Sequence, residues 1–128
     1  MKPWQVVAEI AAAIHAVPGL DVADLVPGYE TRAAHARAAL AVLEGLAPIE
    51  MRDAHARGLE HVPPDEPSVM LHGDLPGQNI LLAMDGPHHV IDWEYTTRGD
   101  PANDLAIVTG GVKQPFQIAG GLDRLLDA

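Results

Sequence analysis

Apolar residues recur at helical spacing from the start of the chain. Val6, Val7, Ile10, Ala13, Ile14 and Val17 share one face of a helix predicted over residues 3–17, and Pro18-Gly19 ends it. Residues 21–28 read as a loop or short turn. A second helix is expected over about residues 29–44 with Gly45 as its stop, and a third over about residues 48–59. The rhythm then changes. Val62-Pro63-Pro64-Asp65-Glu66-Pro67 reads as an extended linker, and the apolar runs 69–71, 80–84 and 88–91 after it predict three strands. Residues 94–100 read as a loop. A helix beginning at Pro101 carries Leu105, Ala106, Ile107 and Val108 and stops at Gly110-Gly111. A last one is expected over about residues 115–128, interrupted by Gly120-Gly121.

The second and third strand runs flank Asp85-Gly86, a pair suited to the type I′ turn of a two-residue hairpin loop. If these two residues are the loop, Met84 pairs with Pro87 and, counting outward, Asn79 lies opposite Asp92. Directly opposed Cβ atoms sit roughly 4.5–5.5 Å apart, so an amide oxygen and a carboxylate would share one face at the open end of the hairpin. Such a pair suits joint coordination of a hard cation such as Mg²⁺. A slip of one residue makes the pair diagonal, at roughly 7–8 Å. Asp74 lies five residues before Asn79, and Pro76 and Gly77 between them make that segment a turn rather than helix or central strand. Asp74 is thereby expected near the Asn79 and Asp92 end. A base beside an attacking hydroxyl, with a metal clamp on phosphates, is what phosphoryl transfer requires.

Three motifs in order carry a family resemblance: His72-Gly73-Asp74-Leu75 with Asn79-Ile80-Leu81-Leu82, then Val90-Ile91-Asp92-Trp93-Glu94, then Gly99-Asp100-Pro101 with Asp104-Leu105-Ala106. Together they resemble the aminoglycoside phosphotransferase and choline kinase-like family, small-molecule kinases with a protein-kinase-like fold. The resemblance implies Asp74 as the catalytic base, Asn79 and Asp92 as Mg²⁺ ligands, and Asp104 as the residue that buttresses the catalytic loop. His72 is expected to be a hydrogen-bonded structural histidine, and Asp100 a helix cap ahead of Pro101. Glu94 either adds a carboxylate to the metal site or faces water. Gly73 stands where protein kinases often carry an arginine that answers to a phosphorylated loop. Its presence fits a small-molecule kinase without that switch.

Composition narrows the picture. The 128 residues suit one domain, and 48% of them are apolar, enough for a core built largely from small side chains. A formal charge of −10 argues against nucleic acid and anionic membrane surfaces as partners. There is no cysteine, hence no disulfide framework or thiolate metal site. No apolar run approaches the roughly 20 residues of a membrane span, and Glu9 and His15 interrupt the short apolar run near the N-terminus. A cytoplasmic location is expected.

The expected fold class is α+β, mainly helical: a protein-kinase-like C-lobe with a small β-hairpin bearing the catalytic and metal residues. The helical part covers residues 1–62, the catalytic and metal loops 68–104, and the C-terminal helices 101–128. The family's ATP-holding N-lobe supplies a glycine-rich loop and a strand lysine. Neither Lys2 nor Lys113, the only lysines, lies in a strand pattern. A lobe truncated at both ends, with the N-lobe missing or separate, is therefore expected. The function implied is transfer of the ATP γ-phosphoryl group, with Mg²⁺, to a hydroxyl of an aminoglycoside-like or amino-alcohol small molecule, weak or absent in the lobe alone. The alternatives are a non-catalytic remnant or binding module of the same fold and, less favoured, a carboxylate-metal hydrolase.

Overall fold

The computed structural model describes residues 2–46, 49–75, 77–109 and 127. Helices and two short antiparallel ladders give an α+β architecture. Helix α1 (Pro3–His15) opens with proline at its first position, where the missing N–H costs nothing. The Lys2 N–H donates to Gln5 Oε1 at 2.9 Å. The apolar stripe of α1, Val6, Val7, Ala11 and Ile14, packs against Leu75 and Ile80 to form the core. Those two partners flank the segment between Asp74 and Asn79, so the helix is the floor beneath it. Each such fully buried aliphatic side chain contributes about 1.5–3 kcal/mol relative to exposure.

After a single 3-10 turn (Gly19–Val22), the chain runs to α2 (Arg32–Leu46), where the Thr31 hydroxyl accepts the N–H of Ala34 at 3.2 Å. Gly45 was expected to stop this helix and instead lies within it. The third helix begins later than expected. Residues 49–51 form a 3-10 turn (Ile49–Met51), and α3 (Arg52–Glu60) follows.

Strand β1 (Val69–Leu71) pairs antiparallel with a strand that the hydrophobic pattern misses (Thr97–Gly99). Val69 lies opposite Gly99 and Leu71 opposite Thr97. Residues 97–99 were expected as loop because Thr-Arg-Gly has no apolar alternation. The outer edges of this ladder are covered by the segment between α1 and α2: Pro18 bridges to Val69 and Gly28 to Arg98. Arg98 also donates from Nε to the carbonyl of Val26 at 2.8 Å. Covered edges leave no unpaired backbone row for another chain to join.

The expected hairpin is present but in a different register. Strands β2 (Ile80–Leu81) and β3 (His89–Val90) pair Ile80 with Val90 and Leu81 with His89. The Ile91 N–H donates to the Asn79 carbonyl at 2.9 Å, so Asn79 lies opposite Ile91 and not Asp92. A type I′ turn needs positive φ at both loop residues. Among the described residues Asp92 alone of the non-glycines has positive φ, so Asp85 does not supply it and only Gly86 does. The strands accordingly end early, and residues 82–88 form a longer loop tied by the Ala83 N–H to His88 Nδ1 at 3.1 Å. Pro87, with no N–H to offer, lies in that loop. In chain order the Thr97–Gly99 strand is β4.

Helix α4 (Ala102–Thr109) starts where Asp100 Oδ1 accepts the Ala102 N–H at 3.0 Å. The expected stop at Gly110-Gly111 and the expected last helix fall outside the described residues. Among the described residues no helix is long and apolar enough to cross a membrane.

Candidate functional site

The loop after β1 is held from below by one carboxylate. Asp104 on α4 is fully buried; its Oδ2 accepts the N–H of His72 and its Oδ1 the N–H of Gly73, each at 2.9 Å. A third donor, His15 Nε2 at the end of α1, reaches Asp104 Oδ2 at 2.9 Å. Burial alone would raise the Asp104 carboxyl. The hydrogen bonds from His15, Gly73 and His72 outweigh burial and hold it below its ordinary value. Asp104 thus joins two helices and the loop through a single anion.

Gly73 is gripped from above. Its φ is +86°, and a Cβ there would collide with the backbone carbonyl of Tyr95. Only glycine fits, which gives a steric reason for the residue that stands beside Asp74. The neighbouring Thr96 hydroxyl donates to the carbonyl of Leu71 at 2.7 Å, so the segment after Asp92 is bonded back to the end of β1.

His72 has both ring nitrogens engaged. Nδ1 accepts the N–H of Asp74 at 3.2 Å, which leaves the proton on Nε2, and Nε2 donates to the carbonyl of Ile91 at 2.8 Å. A neutral ring of fixed tautomer therefore ties the Asp74 loop to the strand that leads into Asp92. The Trp93 ring lies tilted against it, centroids 4.6 Å apart, with its indole N–H on the carbonyl of Val90 at 3.0 Å.

Asn79 is buried and sits directly on Asp74. Its Nδ2 donates to the Asp74 carbonyl at 2.7 Å and, at 3.3 Å, to Asp74 Oδ2. With the amide nitrogen so used, Oδ1 accepts nothing from the described residues and is the atom left for a ligand. The 3-10 turn between the two (Gly77–Asn79) brings them together. Pro76 lies outside the described residues.

Asp92 stands two residues beyond the β2–β3 ladder, exposed, and its carboxylate has no hydrogen-bond partner among the described residues. Its backbone is left-handed, φ 60° and ψ 62°, which turns the chain into the 3-10 turn Trp93–Tyr95. Asp and Asn adopt this conformation more readily than other non-glycine residues, and such backbone conformations cluster at functional sites. Glu94, in the turn, is also exposed.

Two residues of the arrangement were not singled out from the sequence. His15 falls on the buried stripe of α1, four positions after Ala11, and a polar side chain on an otherwise apolar stripe signals a buried partner. Thr96 carries no such signal, because its role comes from the unforeseen strand beside it.

The donor set on offer is one amide oxygen and one unpaired carboxylate, hard oxygen ligands of the kind Mg²⁺ takes. Among the described residues no three histidine, aspartate or glutamate side chains are grouped to hold a metal ion by themselves. Compared with known proteins, residues 4–125 match the family described as phosphotransferase enzyme family (APH). No curated protein matches the chain significantly.

Proposed function

The chain belongs to the phosphotransferase enzyme family, and we propose that its site transfers the γ-phosphoryl group of ATP to a hydroxyl of a small molecule of the aminoglycoside or amino-alcohol class. The observation that carries this reading is the contact between Asp74 and Asn79 on a loop whose backbone is clamped by Asp104. Phosphoryl transfer depends on positioning and electrostatics far more than on covalent help from the protein. A loop fixed at four hydrogen-bonded points is the kind of platform it needs.

In this reading Asp74 receives the proton of the acceptor hydroxyl and orients its oxygen toward the phosphorus. Asn79 holds the Asp74 carboxylate in place with its amide nitrogen and, with its Oδ1, joins Asp92 in holding Mg²⁺. When bound, the cation supplies neutralisation of charge on the phosphate oxygens. His72 keeps the two halves of the site in register through Asp74 and Ile91. The lobe belongs, in this proposal, to a protein-kinase-like fold whose nucleotide is covered from the other side. No described strand contains a lysine, so the phosphate-binding lysine would come from that other side. This favours a second reading of the 128 residues by themselves as a Mg²⁺- and nucleotide-holding lobe with little turnover.

The test compares parent, Asp74→Asn and Asp92→Asn chains for Mg-ATP binding by calorimetry and for phosphate transfer to a panel of amino-sugar and amino-alcohol acceptors. Mg²⁺-dependent nucleotide binding is expected in the parent and in Asp74→Asn, and is expected to be lost in Asp92→Asn. Any turnover seen in the parent should vanish in Asp74→Asn. Nucleotide binding that is indifferent to Mg²⁺ and to Asp92, or transfer that survives Asp74→Asn, would overturn the assignment.

A further inference from the structure

A recess of about 460 Å³ opens between α2, the end of α3 and the start of α4. That volume is within the range of small-molecule sites, roughly 300–1,000 Å³. None of its lining residues belongs to the loop at 72–79 or to the segment at 91–96. Asp100, in its wall, follows the Gly99 end of the β1–β4 ladder, whereas the Asp74 loop leaves from the Leu71 end. Ala102 and Ala106, also in the wall, lie two positions either side of Asp104 on a helix of 3.6 residues per turn. They therefore occupy the opposite face of α4 from the carboxylate that clamps the loop.

The chemistry of the lining is asymmetric. Most of the wall is apolar and built of small side chains, among them Ala36, Ala39 and Val62. The polar groups are His35, His61, Asn103 and Asp100. His35 Nδ1 accepts the N–H of Asp100 at 2.9 Å, so its ring is neutral with the proton on Nε2. His61 Nδ1 donates to the carbonyl of Arg57 at 2.7 Å. Asp100 is then the one carboxylate in the lining, with no lysine or arginine there to neutralise it. One of its oxygens takes the Ala102 N–H, and the other accepts nothing from the described residues.

We propose that this recess is a second binding site, apart from the Asp74 loop, for a small organic amine: a compact apolar body against α2 and α3, and an ammonium on the free oxygen of Asp100. The apolar wall supplies contact area, and the unpaired carboxylate supplies the preference for positive charge. A neutral molecule of the same shape gains only the former. An anion would meet Asp100 with no cationic group beside it.

The probe is benzylamine, with benzyl alcohol as its neutral counterpart, titrated into the ¹⁵N-labelled chain and followed by amide chemical shifts. Saturable shifts are expected at residues 36–40 and 100–106, with benzyl alcohol binding at least about tenfold more weakly. Asp100→Asn keeps a side-chain oxygen for the Ala102 N–H, because asparagine caps helices as well as aspartate does. It should fold as the parent does by circular dichroism and lose about tenfold in benzylamine affinity. Ala39→Leu, which fills the recess from α2, should abolish the shifts. Equal binding of amine and alcohol, unchanged affinity in Asp100→Asn, or shifts centred on Asp74, Asn79 and Asp92 would each overturn the proposal. So would the absence of saturable binding to the folded parent. The phosphotransfer reading is untouched by any of these results except shifts at its own residues.

Discussion

Asp104 shows how much one side chain can decide. Its carboxylate satisfies two backbone donors of the Asp74 loop and the ring of His15. Asp104→Ala would leave all three without an acceptor, and removing one partner from a buried charged network costs on the order of 3–5 kcal/mol. Chemical denaturation of the two chains would measure it, and a loss under about 1 kcal/mol would contradict the clamp. Gly73→Ala should be damaging for a different reason, the left-handed backbone and the Tyr95 carbonyl where the methyl would sit. Strain and overpacking each cost about 1–3 kcal/mol. At Asp92 the logic inverts. The residue is exposed and left-handed, so Asp92→Gly should be more stable than Asp92→Ala by about 1–2 kcal/mol, a difference in thermal midpoint that scanning calorimetry would resolve. A parent less stable than its Asp92→Gly variant would mean that the aspartate is kept at a cost to the fold.

At the level of elements, the sequence was most legible where hydrophobic spacing decides the structure. Val6, Val7 and Ile14 and the short run of β1 stand where the pattern places them, whereas Ala13, expected on the same face, is exposed, Ala11 joins the core instead, and Val17 lies beyond the end of α1. Legibility failed where backbone hydrogen bonds rather than side-chain burial decide. Residues 97–99 are a strand because β1 and residues 27–29 bond to them from both sides, which no property of Thr-Arg-Gly announces. The hairpin failed by one residue because Asp85 does not take the left-handed conformation the tight turn demands. The slip moved Asn79 from Asp92 to Ile91, and the contact that the structure does show, Asn79 on Asp74, comes instead from the 3-10 turn between them. A designed loop with positive φ at both central positions, Asn-Gly in place of Asp85-Gly86 with residues 82–84 unchanged, is the wrong experiment for stability and the right one for register. Because asparagine takes positive φ readily, the pairing should move by one residue and bring Asn79 opposite Asp92, as read by cross-strand nuclear Overhauser effects; persistence of the Ile80–Val90 pairing would show that the turn residue does not govern register.

For the whole molecule, the two perturbed groups predict a two-stage loss of stability in acid. His35 is lowered chiefly by burial, partly opposed by Asp100 and Asp104, so the unfolded chain takes up its proton first. Its contribution is complete above the ordinary histidine value of 6.5 and is lost as pH falls from there through the lowered folded value. Asp104 is lowered too, so its contribution is complete above the ordinary value of 3.8 and is lost as pH falls through its own lowered value. Urea denaturation across this range should show a first decline below about pH 6.5 and a second below about pH 4. His35→Asn should flatten the first decline and leave the second. A single step that His35→Asn does not alter would refute the assignment.

The bond between His15 and Asp104 spans 89 positions. A ribosome makes α1 long before it makes the aspartate that α1 serves, and before Leu75 and Ile80, which cover its apolar stripe. Until those residues emerge, Val6, Val7 and Ile14 lack the Leu75 and Ile80 side chains that cover them in the fold. The α2 and α3 pair, close in sequence, can form at once, while closing the longer loop must wait. Among the described elements the platform for Asp74 therefore assembles late in a nascent chain, and a chain stalled just short of Asp104 should leave α1 open to proteases.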